Sequence, residues 1–125
     1  SAYIRPHPGV LVEKEVAGII EELLLEGKAH HLAVVLLLSR FGPLRLEDVR
    51  YALGRGRRGA YSTARTVLLE LQEMGLVRRE TIGLYGRKVV VYRLTELGVK
   101  VARRLEAALG FFPPEGYAPQ PPPSE

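Results

Sequence analysis

The chain has 125 residues, of which 46% are hydrophobic and 26% charged, with a formal net charge of +4. These proportions fit a soluble globular protein of one domain with appendages. The absence of cysteine excludes disulfides, zinc–thiolate sites and thiol catalysis. The charge is unevenly placed: residues 55–104 hold 12 Lys/Arg against 4 Asp/Glu, and the remainder holds 6 against 10. A cationic half beside an acidic half points to one surface made for a polyanion. The longest apolar run, Leu32 to Leu38, is far short of the ~20 residues that span a bilayer. The start, SAYIRPHPG, lacks the apolar core of a signal peptide. The expected location is the cytoplasm, with the nucleoid, and no membrane partner is expected.

In chain order, residues 1–10 contain Pro6, Pro8 and Gly9 and read as an extended arm, made weakly basic by Arg5 and His7. Residues 11–26 read as a helix. Val12, Val16, Ile19, Ile20, Leu23 and Leu24 form its apolar stripe, while Glu13, Glu15, Glu21, Glu22 and Glu26 lie mostly off it. It is too acidic to face DNA, and Gly27 ends or bends it. Residues 28–41 are apolar nearly all round from Leu32 to Leu38, so this helix should be buried on most sides. A chain of this length has little core for two such helices. The economical solution is a homodimer in which helix 11–26 packs across a two-fold axis.

Gly42-Pro43 ends that helix. Residues 44–46 are a short extended piece, and 47–53 a short helix with Glu47 and Asp48 at its favourable N-terminal end. GRGRRGA, residues 54–60, is a basic glycine-rich turn. Tyr61 to Val77 follows, with Ala64, Val67, Leu68, Leu71 and Met74 on one helical face. Ser62 is the expected N-cap and Gly75 the expected stop. The outer face opens with Ser62, Thr63, Arg65 and Thr66; its acids, Glu70 and Glu73, come in later turns. Residues 76–82 and 87–94 read as strands around a turn at Gly83–Gly86, which makes a β-hairpin. Residues 95–109 read as a last helix, capped by Thr95, with Val99, Val101, Ala102, Leu105, Ala108 and Leu109 on its apolar side. Residues 111–125 are too proline-rich to fold alone.

The order is helix, short strand, helix, turn, helix, hairpin, helix. The expected fold class is mainly α with a small β-hairpin (α+β), a winged helix-turn-helix with an extra N-terminal and C-terminal helix. The expected division is arm 1–10, dimerisation helix 11–27, winged domain 28–110 and tail 111–125. LLELQEMGLVRRE followed by GRKVVVYRLTELGVKVARRL resembles the PadR and MarR families of transcriptional regulators, of an archaeal type. The residues carrying the resemblance are Leu68, Leu71, Gly75, Leu76 and Val77, then Tyr92, Leu94, Thr95 and Gly98. It covers about residues 30–109. In those families the third helix enters the major groove, the hairpin touches the backbone or minor groove, and flanking helices form a dimer. The resemblance implies the same here, with helix 62–74 as reader and 77–94 as wing. The MarR-type wing usually carries an Asp-x-Arg pair; this wing reads LYGRKV.

Arg65 is the candidate base contact, because a guanidinium pairs bidentately with guanine O6 and N7. Ser62, Thr63 and Thr66 are candidates for phosphates or bases. Arg55, Arg57 and Arg58 sit in a turn whose glycines let backbone approach closely, which favours phosphate contact. Tyr85, Arg87 and Lys88 lie at the wing tip, the cations there suited to a minor groove or its phosphates. Arg78 and Arg79 point to opposite faces of a strand, so at most one faces DNA, and Arg79 is the candidate. Residues 54–59 also match GxGxxG, with Glu80 at the distance of a ribose-binding acid. The helix before that loop and the hairpin after it disfavour a dinucleotide fold.

No catalytic site, metal site or cofactor is read from the sequence. His30 and His31 are adjacent on a helix, about 100° apart, and so do not form a chelating pair. The first reading is a dimeric regulator binding double-stranded DNA. The alternatives are an architectural DNA-binding protein with little sequence preference and a winged-helix protein-interaction module. The abundance of Arg, Leu, Val and Glu, with no Cys and one Met, points to a thermophile. The sequence specifies neither operator nor small-molecule effector.

Overall fold

Periodic apolar positions form the helices, and chain breaks at glycine separate them. The structure, a computed structural model, describes residues 8–54 and 59–110; for 8–13 it describes the backbone alone. The elements are α1 (Pro8–Leu25), α2 (Ala29–Phe41), α3 (Leu46–Gly54), α4 (Ala60–Glu73), β1 (Val77–Leu84), β2 (Arg87–Leu94) and α5 (Glu96–Leu109). Most of the expected arm, the tail 111–125 and the cations Arg55, Arg57 and Arg58 lie outside the described residues.

Two helix starts differ from expectation by more than one residue. The first helix begins at Pro8, inside the expected arm. Proline suits a first helical position, where its missing N–H has no intrahelical acceptor and its fixed φ is already helical. α4 begins at Ala60, so Ser62 lies inside it and is not the cap. The cap position is Gly59 at φ 84°, with no side chain to contribute. A left-handed glycine here starts the helix three residues earlier than a cap at Ser62 would.

Gly75 does end α4. At φ 76° it lets the Gly75 N–H reach the Gln72 carbonyl at 3.0 Å and the Leu76 N–H reach that of Leu71 at 2.9 Å. This pair of bonds satisfies carbonyls that the last helical turn leaves open.

β1 and β2 form a two-stranded antiparallel sheet, in register from Val77 opposite Leu94 to Leu84 opposite Arg87. The loop is therefore only Tyr85-Gly86, with φ 51° and 75°. Positive φ at both loop residues matches the right-handed twist of the strands. A bulky residue in that conformation costs on the order of 1 kcal/mol. Leu44 extends the sheet by one residue, bonding Tyr92 in both directions at 3.0 and 2.7 Å.

The core is shared by every element. Val34, Val35 and Leu38 of α2 meet Val49 of α3, Leu68 and Leu71 of α4, Leu76, and Val101 and Leu105 of α5. Each fully buried leucine contributes about 2 kcal/mol. α5 covers both α1 and α2. Val16 and Leu23 of α1 are therefore buried within one chain, without a partner. The stripe of α1 is narrower than expected, since Leu24 is exposed, and Leu109 is exposed on α5 along with Ala108.

One close approach fixes the assembly. A Cβ at Gly98 would lie 2.1 Å from the Leu76 carbonyl oxygen. Thr95 closes the same junction. Its hydroxyl donates to the Gly75 carbonyl at 2.6 Å and accepts from the Gly98 N–H at 3.1 Å, while its own N–H reaches Leu76 O at 3.0 Å. The end of α4, the start of β1 and the start of α5 are thus pinned together.

Candidate nucleic-acid interface

The site is built on the outer side of α4. Ala64, Val67, Leu68 and Leu71 take its inner face into the core. Helical periodicity then turns Ser62, Arg65, Thr66 and Leu69 outward, where all four are exposed. Thr63 is half-buried at the edge. Because Gly59 carries no side chain, N–H groups of the first turn lack the usual serine or aspartate cap. The partial positive charge of a helix start lies there. Leu69 interrupts this polar face, and one isolated apolar residue leaves no periodic signal in the sequence.

The two acids of α4 have different surroundings. Glu73 is exposed. Glu70 turns back to α2, where one carboxylate oxygen meets Lys28 Nζ and His31 Nε2, each at 2.9 Å. The Lys28 ammonium, with His31 second, holds the Glu70 carboxyl below its usual range, and Glu70 in turn raises Lys28. His31 is buried against this carboxylate, while His30 is exposed. A notch of about 300 Å³ joins this region to the start of α4, lined by Lys28 and His30 on one side and Ser62, Thr63 and Thr66 on the other. Lys28 and His30 are 32 or more residues away from Ser62 in sequence, and only packing brings them beside it.

The hairpin sorts its cations by strand alternation. Arg78 is half-buried and paired with Glu80, and Glu80 also meets Arg93 at 2.6 Å. Arg79, one residue on, faces the other way and is exposed. Arg87 and Lys88 are exposed beside the turn, on opposite faces of β2. Tyr85 at the tip is 96% exposed. Exposed cations therefore remain on α4 and the hairpin, while Glu70 and Glu80 are engaged by bases. Glu80 sits in an antiparallel hairpin, so the dinucleotide alternative loses its parallel crossover.

α4 packs against α3 and is followed by the hairpin; α2 packs against α4 and β2, and Leu44 bridges to β2 at Tyr92. The fold is a winged helix. ZitR from Lactococcus lactis, in a double-mutant apo form, shares this winged-helix arrangement at a TM-score of 0.55. The two are 18% identical, over 84% of this chain and 75% of ZitR. Also similar are a PadR-like transcription factor from Bacteroides fragilis and a PadR family transcriptional regulator from Eggerthella lenta. The first is 20% identical over 73% of this chain and 88% of its own, with a TM-score of 0.48. The second is 22% identical over 75% and 85%, with a TM-score of 0.42. No family model and no curated protein matches the sequence. Among the described residues no helix is long and apolar enough to cross a membrane.

Proposed function

We propose that this winged helix binds double-stranded DNA as a dimeric transcriptional regulator. The first turns of α4 read the major groove, and the wing Val77–Leu94 lies on the backbone or minor groove. The observation that carries the reading is the outward set Ser62, Arg65 and Thr66 at an uncapped helix start, followed by a wing with exposed Arg79, Arg87 and Lys88. Arg65 is the base reader, and Ser62, Thr63 and Thr66 hold phosphates or neighbouring base edges. Arg79, Tyr85, Arg87 and Lys88 are the wing contacts. Arg55, Arg57 and Arg58 join as phosphate contacts on the strength of the sequence. The exposed apolar residues Leu24, Leu25, Phe41 and Leu109 supply surface for the dimer. Such a protein works in the cytoplasm, on the chromosome.

Duplex affinity measured against salt tests this reading. Log K falls with log salt by about 0.9 per neutralised phosphate. A dimer using Arg55, Arg57, Arg58, Arg79, Arg87 and Lys88 of both protomers gives a slope of about −11, and one using the wing cations alone a slope of about −5. No binding of any duplex at low salt overturns the DNA reading in favour of a protein-interaction module. Genome-wide footprinting then separates a regulator, which occupies discrete sites, from an architectural protein, which coats the chromosome evenly.

A further inference from the structure

Tyr85 is the residue whose position the fold does not explain. A two-residue hairpin loop with positive φ at both places is made most easily by Asn-Gly, Asp-Gly or Gly-Gly. Here the first place holds a tyrosine at φ 51°. Bulky residues are rare in that conformation, and residues held there cluster at ligand contacts and switches. The ring gives the monomer nothing in return, since the residue is 96% exposed. Leu84 beside it is half exposed, at 47%. Arg87 and Lys88 follow immediately, paired across the strands with Leu84 and Gly83. The nearest acid in the hairpin, Glu80, is already held by Arg78 and Arg93. The tip is therefore an apolar point with a cationic collar and no available carboxylate.

That combination matches deformed duplex DNA better than a protein surface. Side chains that wedge between base steps are apolar, and aromatic faces stack on any base. Cations beside them suit the minor groove and its phosphates. We propose that the Tyr85 ring, with Leu84 behind it, inserts at a base step and opens the stack while Arg87 and Lys88 hold the flanking phosphates. The wing then selects sites by how easily their steps unstack, in addition to any base reading by Arg65. This inference rests on the DNA-binding reading above.

The test uses two short duplexes, one of alternating T and A with a single 2-aminopurine replacing an adenine, and one of G·C pairs only. Pyrimidine–purine TA steps unstack most easily. Stacking quenches 2-aminopurine, so insertion raises its fluorescence when the full-length protein binds. Tyr85→Phe keeps both the rise and the affinity. Tyr85→Asn, which suits the turn and keeps the fold, loses the rise and binds the T/A duplex roughly tenfold more weakly. Its loss on the G·C duplex is smaller. An unchanged fluorescence on binding, or equal affinity of Tyr85→Asn for the T/A duplex, overturns insertion while leaving DNA binding intact. Failure of the unmutated protein to bind either duplex at low salt overturns the DNA reading itself, and insertion with it. A melting temperature of Tyr85→Asn at or above that of the unmutated protein shows that lost binding is not lost folding.

Discussion

Arg65 stands on the solvent side of α4 because Ala64 and Val67 take the core side, and it is exposed there. If it reads a base, Arg65→Ala costs about 1–3 kcal/mol on the preferred site and much less on random duplex. Equal losses on both, measured by competition titration, reassign it to phosphate. Glu70 permits a different test, of how α4 is held to α2. Its carboxyl is lowered by the Lys28 ammonium first and by His31 second. A depressed carboxyl contributes stability above its unfolded value, near 4.5, and loses it as pH falls through the folded value. Lys28 is raised, so its share persists below 10.5 and fades as pH rises through its folded value. The melting gap between the unmutated protein and Glu70→Gln is therefore open at neutral pH and closes in acid below about pH 4.5. A gap that stays constant in acid removes the ionic role. The partnership was not legible in the sequence, which placed Glu70 on the outer face. Helical spacing gives a residue's angle around the axis, but not which neighbouring helix supplies a cation at that angle.

At the scale of elements, the junction of α4, β1 and α5 decides whether the wing is presented at all. Gly98 sits so close to the Leu76 carbonyl that an added methyl must displace backbone. Gly98→Ala therefore destabilises by about 3 kcal/mol or more, read as a lower urea midpoint. Gly83→Ala in β1 is the control. A Cβ there meets nothing within 4 Å, so its midpoint changes little. Loss from Gly83→Ala equal to that from Gly98→Ala would mean that the close approach is not the cause. The hairpin itself was legible, because two β-branched runs flank a Gly-bounded turn. The start of α4 was not. A serine before an apolar run signals a cap, but a glycine with free backbone competes for the same end, and Gly59 takes it.

At the scale of the whole molecule, burial arithmetic on the sequence overstated the need for a partner. α2 is apolar nearly all round, yet α5, α4, β2 and α1 cover much of it within one chain. The apolar surface left for a dimer is Leu24, Leu25, Phe41 and Leu109, which stay exposed, Leu25 at 79%. Sedimentation at micromolar concentration is expected to give twice the 13.9 kDa chain mass. A monomer at that concentration overturns the dimer and halves the expected salt slope.

By itself the sequence determined the order of elements, the hairpin and the polar, cationic outer face at the start of α4. These depend on spacing within one segment, and periods of 3.6 and 2 residues are visible there. Glycine positions fixed where most helices stop, since the backbone at such ends takes a conformation that other residues resist. The tertiary structure alone decided which charges are spent. It turned Glu70 to Lys28 and His31, locked Glu80 between Arg78 and Arg93, and left Arg79, Arg87 and Lys88 outward. It also placed Lys28 and His30 beside the start of α4 and shortened the hairpin loop to a strained, exposed Tyr85. Such pairings join residues far apart in the chain or fix a strand register. Both are set by how apolar faces close on one another, which no single segment encodes.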